Sequence, residues 1–135
     1  MTSKVDYTGE LRTTAIHLRS NTTIETDAPI DNNGKGERFS PTDLVATALA
    51  SCMCTMMGIA ARHHDMNVDG ISCDVEKIMA ANPRRISEIK VALHMPKDQQ
   101  YTDKQKKILE HTAMTCPVLE SLHPDCKKTV QFNWS

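Results

Sequence analysis

The chain has 135 residues, enough to bury a core as one domain without disulfide staples. A formal net charge of −1 excludes a basic nucleic-acid face and an acidic tail, and 4% aromatic residues are too few for a base-stacking platform. The polar start, MTSKVDYTGELR, lacks the apolar stretch of a secretion signal, so the five cysteines are expected to be reduced thiols in the cytoplasm.

Residues 4–26 alternate and are rich in Thr and Val, with a turn signal at Thr8-Gly9-Glu10. They predict a hairpin followed by a third strand near residues 21–26. Residues 27–37, DAPIDNNGKGE, read as a flexible connecting loop. Ser40 is a good N-cap, Pro41 suits the first helical position and Asp43 stands where a capping-box acid belongs. A long helix is therefore expected from there to about His64. Val45, Ala48, Leu49, Cys52, Met56 and Ile59 share one helical face, expected to turn inward. The opposite side is also small or apolar, which predicts a helix buried nearly all round rather than a membrane span. Met53, Met56 and Met57, clustered around Cys52, read as adaptable core filling.

Residues 70–81 and 85–95 alternate at period two around Asn82-Pro83, the pattern of a second hairpin. Residues 102–113 predict a helix with a lysine-rich outer face and Ile108, Leu109 and Thr112 turned inward. Cys116-Pro117 opens a short helix through Leu122, and residues 128–134 close the chain as a strand. This order implies an α+β fold over a single domain, 1–135, with antiparallel sheet packed on helices.

The cysteines differ in setting. Cys52 and Cys54 lie about 200° apart around a helix, so the two cannot bridge each other or share a metal. Cys54 reads as a small core residue, and Cys73 and Cys126 have no partner at a diagnostic spacing. There is no CxxC pair. Tetrahedral zinc would need scattered ligands such as Cys116, His123 and Cys126, so neither metal nor other cofactor is expected. His63 and His64 suit the carbonyl end of the long helix. Cys116, at a helix N-terminus, feels the positive end of the helix dipole, and Pro117 is expected to leave it exposed; both effects favour the thiolate. The alternative for Cys116 is a half-buried structural cysteine.

Pro41-Thr42-Asp43-Leu44, Ala46 through Ala50-Ser51-Cys52, and the distant Thr115-Cys116-Pro117-Val118 together resemble the OsmC/Ohr family over nearly the whole chain. The resemblance implies two antiparallel curved sheets around central helices, in an intertwined homodimer with its active sites at the interface. It implies a peroxidase in which Cys52 attacks an organic hydroperoxide and becomes a sulfenic acid. Cys116 then closes a disulfide that a small dithiol or a lipoylated protein reopens. It also implies an arginine beside the reactive thiol, with Arg38 the first candidate and Arg19 the second. Peroxidase members place a glutamate after the helix-opening proline to orient that arginine, whereas this chain has Pro41-Thr42. That departure, with the methionine-rich helix, supports an alternative: a binding or sensing protein for a hydrophobic or thiol-reactive ligand. Neither reading calls for nucleic acid or a membrane.

Overall fold

Alternating β-branched and polar residues produce strands over the first part of the chain: β1 (Ser3–Gly9), β2 (Arg12–His17) and β3 (Thr23–Asp27). They form an antiparallel sheet in the order β1-β2-β3. The β1–β2 turn needs left-handed backbone, with Gly9 at φ 97°, Glu10 at 54° and Leu11 at 63°. The computed structural model describes residues 1–134, and the chain divides into two compact units, Met1–Val45 and Ala46 onward.

The loop after β3 is tied to itself. It contains a short 3-10 turn, Ile30–Asn32, and the amides of Gly34 and Gly36 donate to the carbonyls of Pro29 and Ala28. A Cβ at Gly34 would come within 1.8 Å of the Ala28 carbonyl oxygen, so glycine alone permits this fold-back. The loop delivers the chain to α1 (Pro41–His63), which starts at the expected proline and ends one residue before the expected His64. Its start is a reciprocal cap: the Asp43 amide donates to Ser40 Oγ, and the Ser40 amide donates to Asp43 Oδ2, each at 3.0 Å.

In the second unit, β4 (Ser72–Ala80) and β5 (Arg85–His94) form the predicted antiparallel hairpin. They are followed by α2 (Asp103–Met114), α3 (Pro117–Ser121) and β6 (Lys127–Asn133). Thr102 caps α2 through a capping box with Gln105. β6 lies beside β5 and runs parallel to it, so the expectation of purely antiparallel sheets fails here. The reason is topological: the α2–α3 connection carries the chain back across the sheet, and the next strand then enters in the same direction as β5.

The core joins Ala46, Leu49, Ala50, Met53, Met57 and Ala61 of α1 to Ile89, Val91 and Leu93 of the central strand β5 and to Leu109 and Ala113 of α2. The strand residues are two apart and the α1 residues three or four apart, the periods of one pleated face and one helical stripe. The stripe differs from the predicted face. Leu49 is buried, but Val45 and Ile59 are 38% and 46% exposed and Ala48 is exposed. The helix is rotated by one residue, about 100°, from the expected orientation. Apolar residues on nearly every side left the sequence period unable to choose. Nor is α1 buried all round within one chain, since Ser51 and Thr55 are exposed as well.

Leu49 is fully enclosed, so Leu49→Ala should lower unfolding free energy by about 3 kcal/mol. Urea denaturation followed by circular dichroism measures this, with an unchanged slope expected for a pure cavity effect.

Candidate functional site

Burial of Met53 at the centre of the α1 stripe leaves its two neighbours on opposite flanks, each about 100° away. Both neighbours are cysteines, both partly buried. Cys52 lies on the flank near Cys116, close enough to influence its thiol, and Cys116 comes from the far end of the second unit. Cys116 is the N-cap of α3, with extended backbone at φ −69° and ψ 150°, and its Sγ accepts the Leu119 amide at 3.4 Å. Pro117 occupies the first helical position, where its missing N–H costs nothing.

Cys116 is completely buried, which corrects the expectation of an exposed thiolate. Burial pushes its thiol above the ordinary cysteine range; the Leu119 amide works against this, and the nearby Cys52 adds to the rise. A five-residue helix contributes little dipole, and removing the sulfur from water outweighs it. Cys116 is therefore held in its protonated form. Both cysteines are free thiols.

Cys54, on the other flank, lies 3.1 Å from Cys73 Sγ on β4. This contact was absent from the sequence reading, because a helix-to-strand pair has no diagnostic spacing. The hydrogen bond from Cys73 brings the Cys54 thiol down to about 7 against the opposing effect of burial, while the same bond and burial push Cys73 up. One proton leaves this pair easily and the second is strongly retained. Cys126 is buried, its Sγ directed at the Lys127 carbonyl, and His123 Nδ1 accepts the Asp125 amide. Among the described residues, no three His, Cys, Asp or Glu side chains are grouped to hold a metal. Met53 and Met57 are fully enclosed in the core rather than lining a ligand cavity.

In the first unit, Arg38 is an exposed residue whose Nε donates to Glu25 at 3.1 Å and whose Nη1 donates to the Glu37 carbonyl. Arg19 is exposed in the β2–β3 turn. A third arginine, not singled out from sequence, is held far more firmly. Arg12 Nε and Nη2 donate to the two oxygens of Asp27 at 2.7 and 2.9 Å, and Nη2 also reaches Glu37 at 3.1 Å. Arg12 and Asp27 face each other across the β2–β3 ladder, and Asp27 is 1% exposed. The Glu37 amide donates to Asp27 as well, at 3.2 Å. The Arg12 guanidinium, above all, holds the Asp27 carboxyl below the usual carboxylate range. Thr42, at the position of the family glutamate, has its hydroxyl 3.3 Å from Ser40 Oγ.

The OsmC-like protein family model matches residues 34–131. The chain belongs to this family. The OsmC-like chain is 54% identical to a Psychrobacter arcticus 273-4 protein provisionally named for an osmotic stress induced and detoxification response. That structure superposes with a TM-score of 0.93, over 98% of this chain and 96% of the other. A Legionella pneumophila structure named an organic hydroperoxide resistance protein OsmC is 13% identical, with a TM-score of 0.76 over 98% and 97% of the two chains. A Mycoplasma pneumoniae OsmC like protein is 18% identical, with a TM-score of 0.77 over 98% and 94%. The latter two share the fold. No curated protein matches the OsmC-like chain by sequence.

The Asp27 carboxylate gives a pH test. Its folded pKa lies below its ordinary value of 3.8, so the unfolded chain takes up this proton first on acidification. Its contribution to stability is complete above that ordinary value and is lost as pH falls through the folded pKa. Asp27→Asn should therefore be less stable than the parent at pH 7, with the gap narrowing steadily below about pH 4. Urea midpoints measured from pH 7 to pH 2 check this; a gap independent of pH would show that charge contributes nothing.

Proposed function

We propose that the protein is a thiol-dependent peroxidase that reduces organic hydroperoxides, with Cys52 the attacking and Cys116 the resolving thiol. What supports this reading is that Cys52 on α1 lies near enough to Cys116, the buried N-cap of α3, to raise its thiol. Cys52 as thiolate attacks the outer peroxide oxygen; the O–O bond breaks and the alkoxide takes a proton to leave as an alcohol. Cys116 then attacks the Cys52 sulfenic acid, giving a disulfide and water. A dithiol, free or on a lipoylated protein, returns two electrons and two protons to restore both thiols. The buried, protonated Cys116 suits the second step, because it does not compete for peroxide. Family membership supports the same chemistry, and the name of the Legionella protein is consistent with it.

For the cation that this chemistry needs, Arg12 is a candidate of the first unit beside Arg38 and Arg19. Arg12 is pre-oriented by a bidentate bond to a buried carboxylate, whereas Arg38 is an exposed surface pair. Asp27 would then take the orienting role that peroxidase members assign to a helix-borne glutamate, which accounts for Thr42. A homodimer belongs to the same reading. The first sheet leaves Val5, Tyr7 and Ile24 exposed, the turn after β2 leaves Leu18 exposed and α1 leaves Ile59 exposed, apolar surface that a second copy would cover.

Cumene hydroperoxide consumption with a dithiol reductant tests the proposal. Cys52→Ser should fall to the uncatalysed background. With no dithiol added, Cys116→Ser should consume one equivalent per chain and then stall as a sulfenic acid that a dimedone probe labels. Arg12→Ala should lose about a hundredfold in rate, and Arg38→Ala little. Peroxide turnover by Cys52→Ser at the parent rate would overturn the assignment; loss confined to Arg38→Ala would move the cation back to Arg38. Sedimentation equilibrium at twice the chain mass is expected.

A further inference from the structure

The second cysteine pair takes no part in the chemistry above. Cys54 Sγ and Cys73 Sγ are 3.1 Å apart, joined by a sulfur hydrogen bond, and each comes from a different element of the second unit. A disulfide bond is about 2.05 Å long, so closure asks for an approach of about 1 Å between side chains already in contact. Neither thiol is sealed in the core: both are partly exposed. Cys73 lies on β4, an edge strand of its sheet, where one side of the backbone is free of a neighbouring strand. No third metal-binding side chain joins them among the described residues, so two sulfurs alone define the chemistry.

The helix also separates this pair from the first. Cys52 and Cys54 leave α1 on opposite sides of the buried Met53, so neither thiol of one pair can reach the other pair while the helix is intact. A further contrast is solvent: Cys116 of the first pair is fully enclosed, while no member of the second is. Small hydrophilic thiols and disulfides therefore have better access to Cys54 and Cys73 than to Cys116.

We propose that Cys54 and Cys73 form a second redox couple, a dithiol that exchanges with low-molecular-weight disulfides and clips α1 to β4 when oxidised. Cys54 is the attacking thiol, since its sulfur hydrogen bond with Cys73 favours its thiolate. The Cys54 sulfur attacks one sulfur of the small disulfide RSSR. That S–S bond breaks, a mixed disulfide forms on Cys54, and one RS− leaves and takes a proton. Cys73 then gives up its proton and attacks the Cys54 sulfur of the mixed disulfide, releasing the second RSH. Overall, RSSR and two protein thiols become two RSH and one protein disulfide, with no peroxide required. Oxidation would thereby fasten the C-terminal half of the helix that bears Cys52 to the edge strand of the sheet.

The test uses the full-length chain with Cys52, Cys116 and Cys126 replaced by serine and no hydroperoxide present. It is equilibrated in glutathione buffers running from fully reduced to fully oxidised, acid-quenched, alkylated, and examined by intact mass and peptide mapping. The expected result is joint loss of both alkylatable thiols, an intact mass lower by two hydrogens, and a cross-linked peptide joining Cys54 to Cys73 that dithiothreitol removes. Adding Cys73→Ser should convert this product into a single glutathione adduct on Cys54. If circular dichroism shows the triple variant unfolded, the same mapping on the parent chain decides, because Cys73 and Cys116 lie in different tryptic peptides and fragmentation separates Cys54 from Cys52. Two thiols that stay alkylatable in oxidised glutathione, or glutathione adducts on both with no cross-link, would overturn the proposal. Since the triple variant lacks Cys52 and Cys116, neither outcome bears on the peroxidase reading.

Discussion

An α-helix turns by about 100° per residue, and that single constraint decides the chemistry of the second unit. Once Ala46, Leu49, Met53, Met57 and Ala61 are pressed into the core, the positions of Cys52 and Cys54 follow without further choice. One must leave the helix on each flank of Met53. Cys52 is then turned toward the α3 N-cap thiol near it, and Cys54 meets a thiol delivered by an edge strand. Packing free energy, not thiol chemistry, holds the rotation: five enclosed side chains, each stabilising by about 1–3 kcal/mol, outweigh what any thiol contact could supply.

The two pairs are tuned in different directions by the same physics. Full enclosure of Cys116 raises the cost of its thiolate, and its two amide contacts do not recover it. At Cys54 the hydrogen bond with Cys73 outweighs the penalty of burial. Sulfur position relative to solvent is thus as decisive as sulfur position relative to its partner. In the first unit, a comparable logic operates on oxygen. Asp27 is buried as a charged group because Arg12 donates twice to it and the Glu37 amide donates once. This clasp joins β2, β3 and the segment that leads into the Ser40 cap, so the start of α1 is set by a charge pair as well as by its capping residues.

Much of the fold was legible along the chain. Ser40-Pro41 and Asp43 announce the helix start, because an N-cap hydroxyl, a proline at the first position and a reciprocal acid act within four residues. The β4–β5 hairpin is equally local, since side chains alternate across a pleated sheet and a turn separates the two runs. The parallel pairing of β6 with β5 was not legible, since strand direction depends on the path of the intervening helices rather than on the strand itself. The face of α1 was misread because its sequence is small or apolar on nearly all sides. Arg12 escaped notice for a different reason: nothing in residues 8–13 distinguishes it from a solvated arginine until Asp27 is placed opposite it by the ladder register.

By itself the sequence determined where the helices begin, which runs alternate as strands, and that Cys52 and Cys54 must diverge, because each depends on interactions within a few residues. Its motifs also pointed to the family, and so to Cys52 and Cys116 as a pair worth joining. Tertiary structure decided which side of α1 enters the core, that Cys116 is enclosed, that Cys54 has a partner at all, and which arginine is held. Those are properties of contacts between distant segments. They depend on rotation, register and the exclusion of water, none of which a linear spacing encodes.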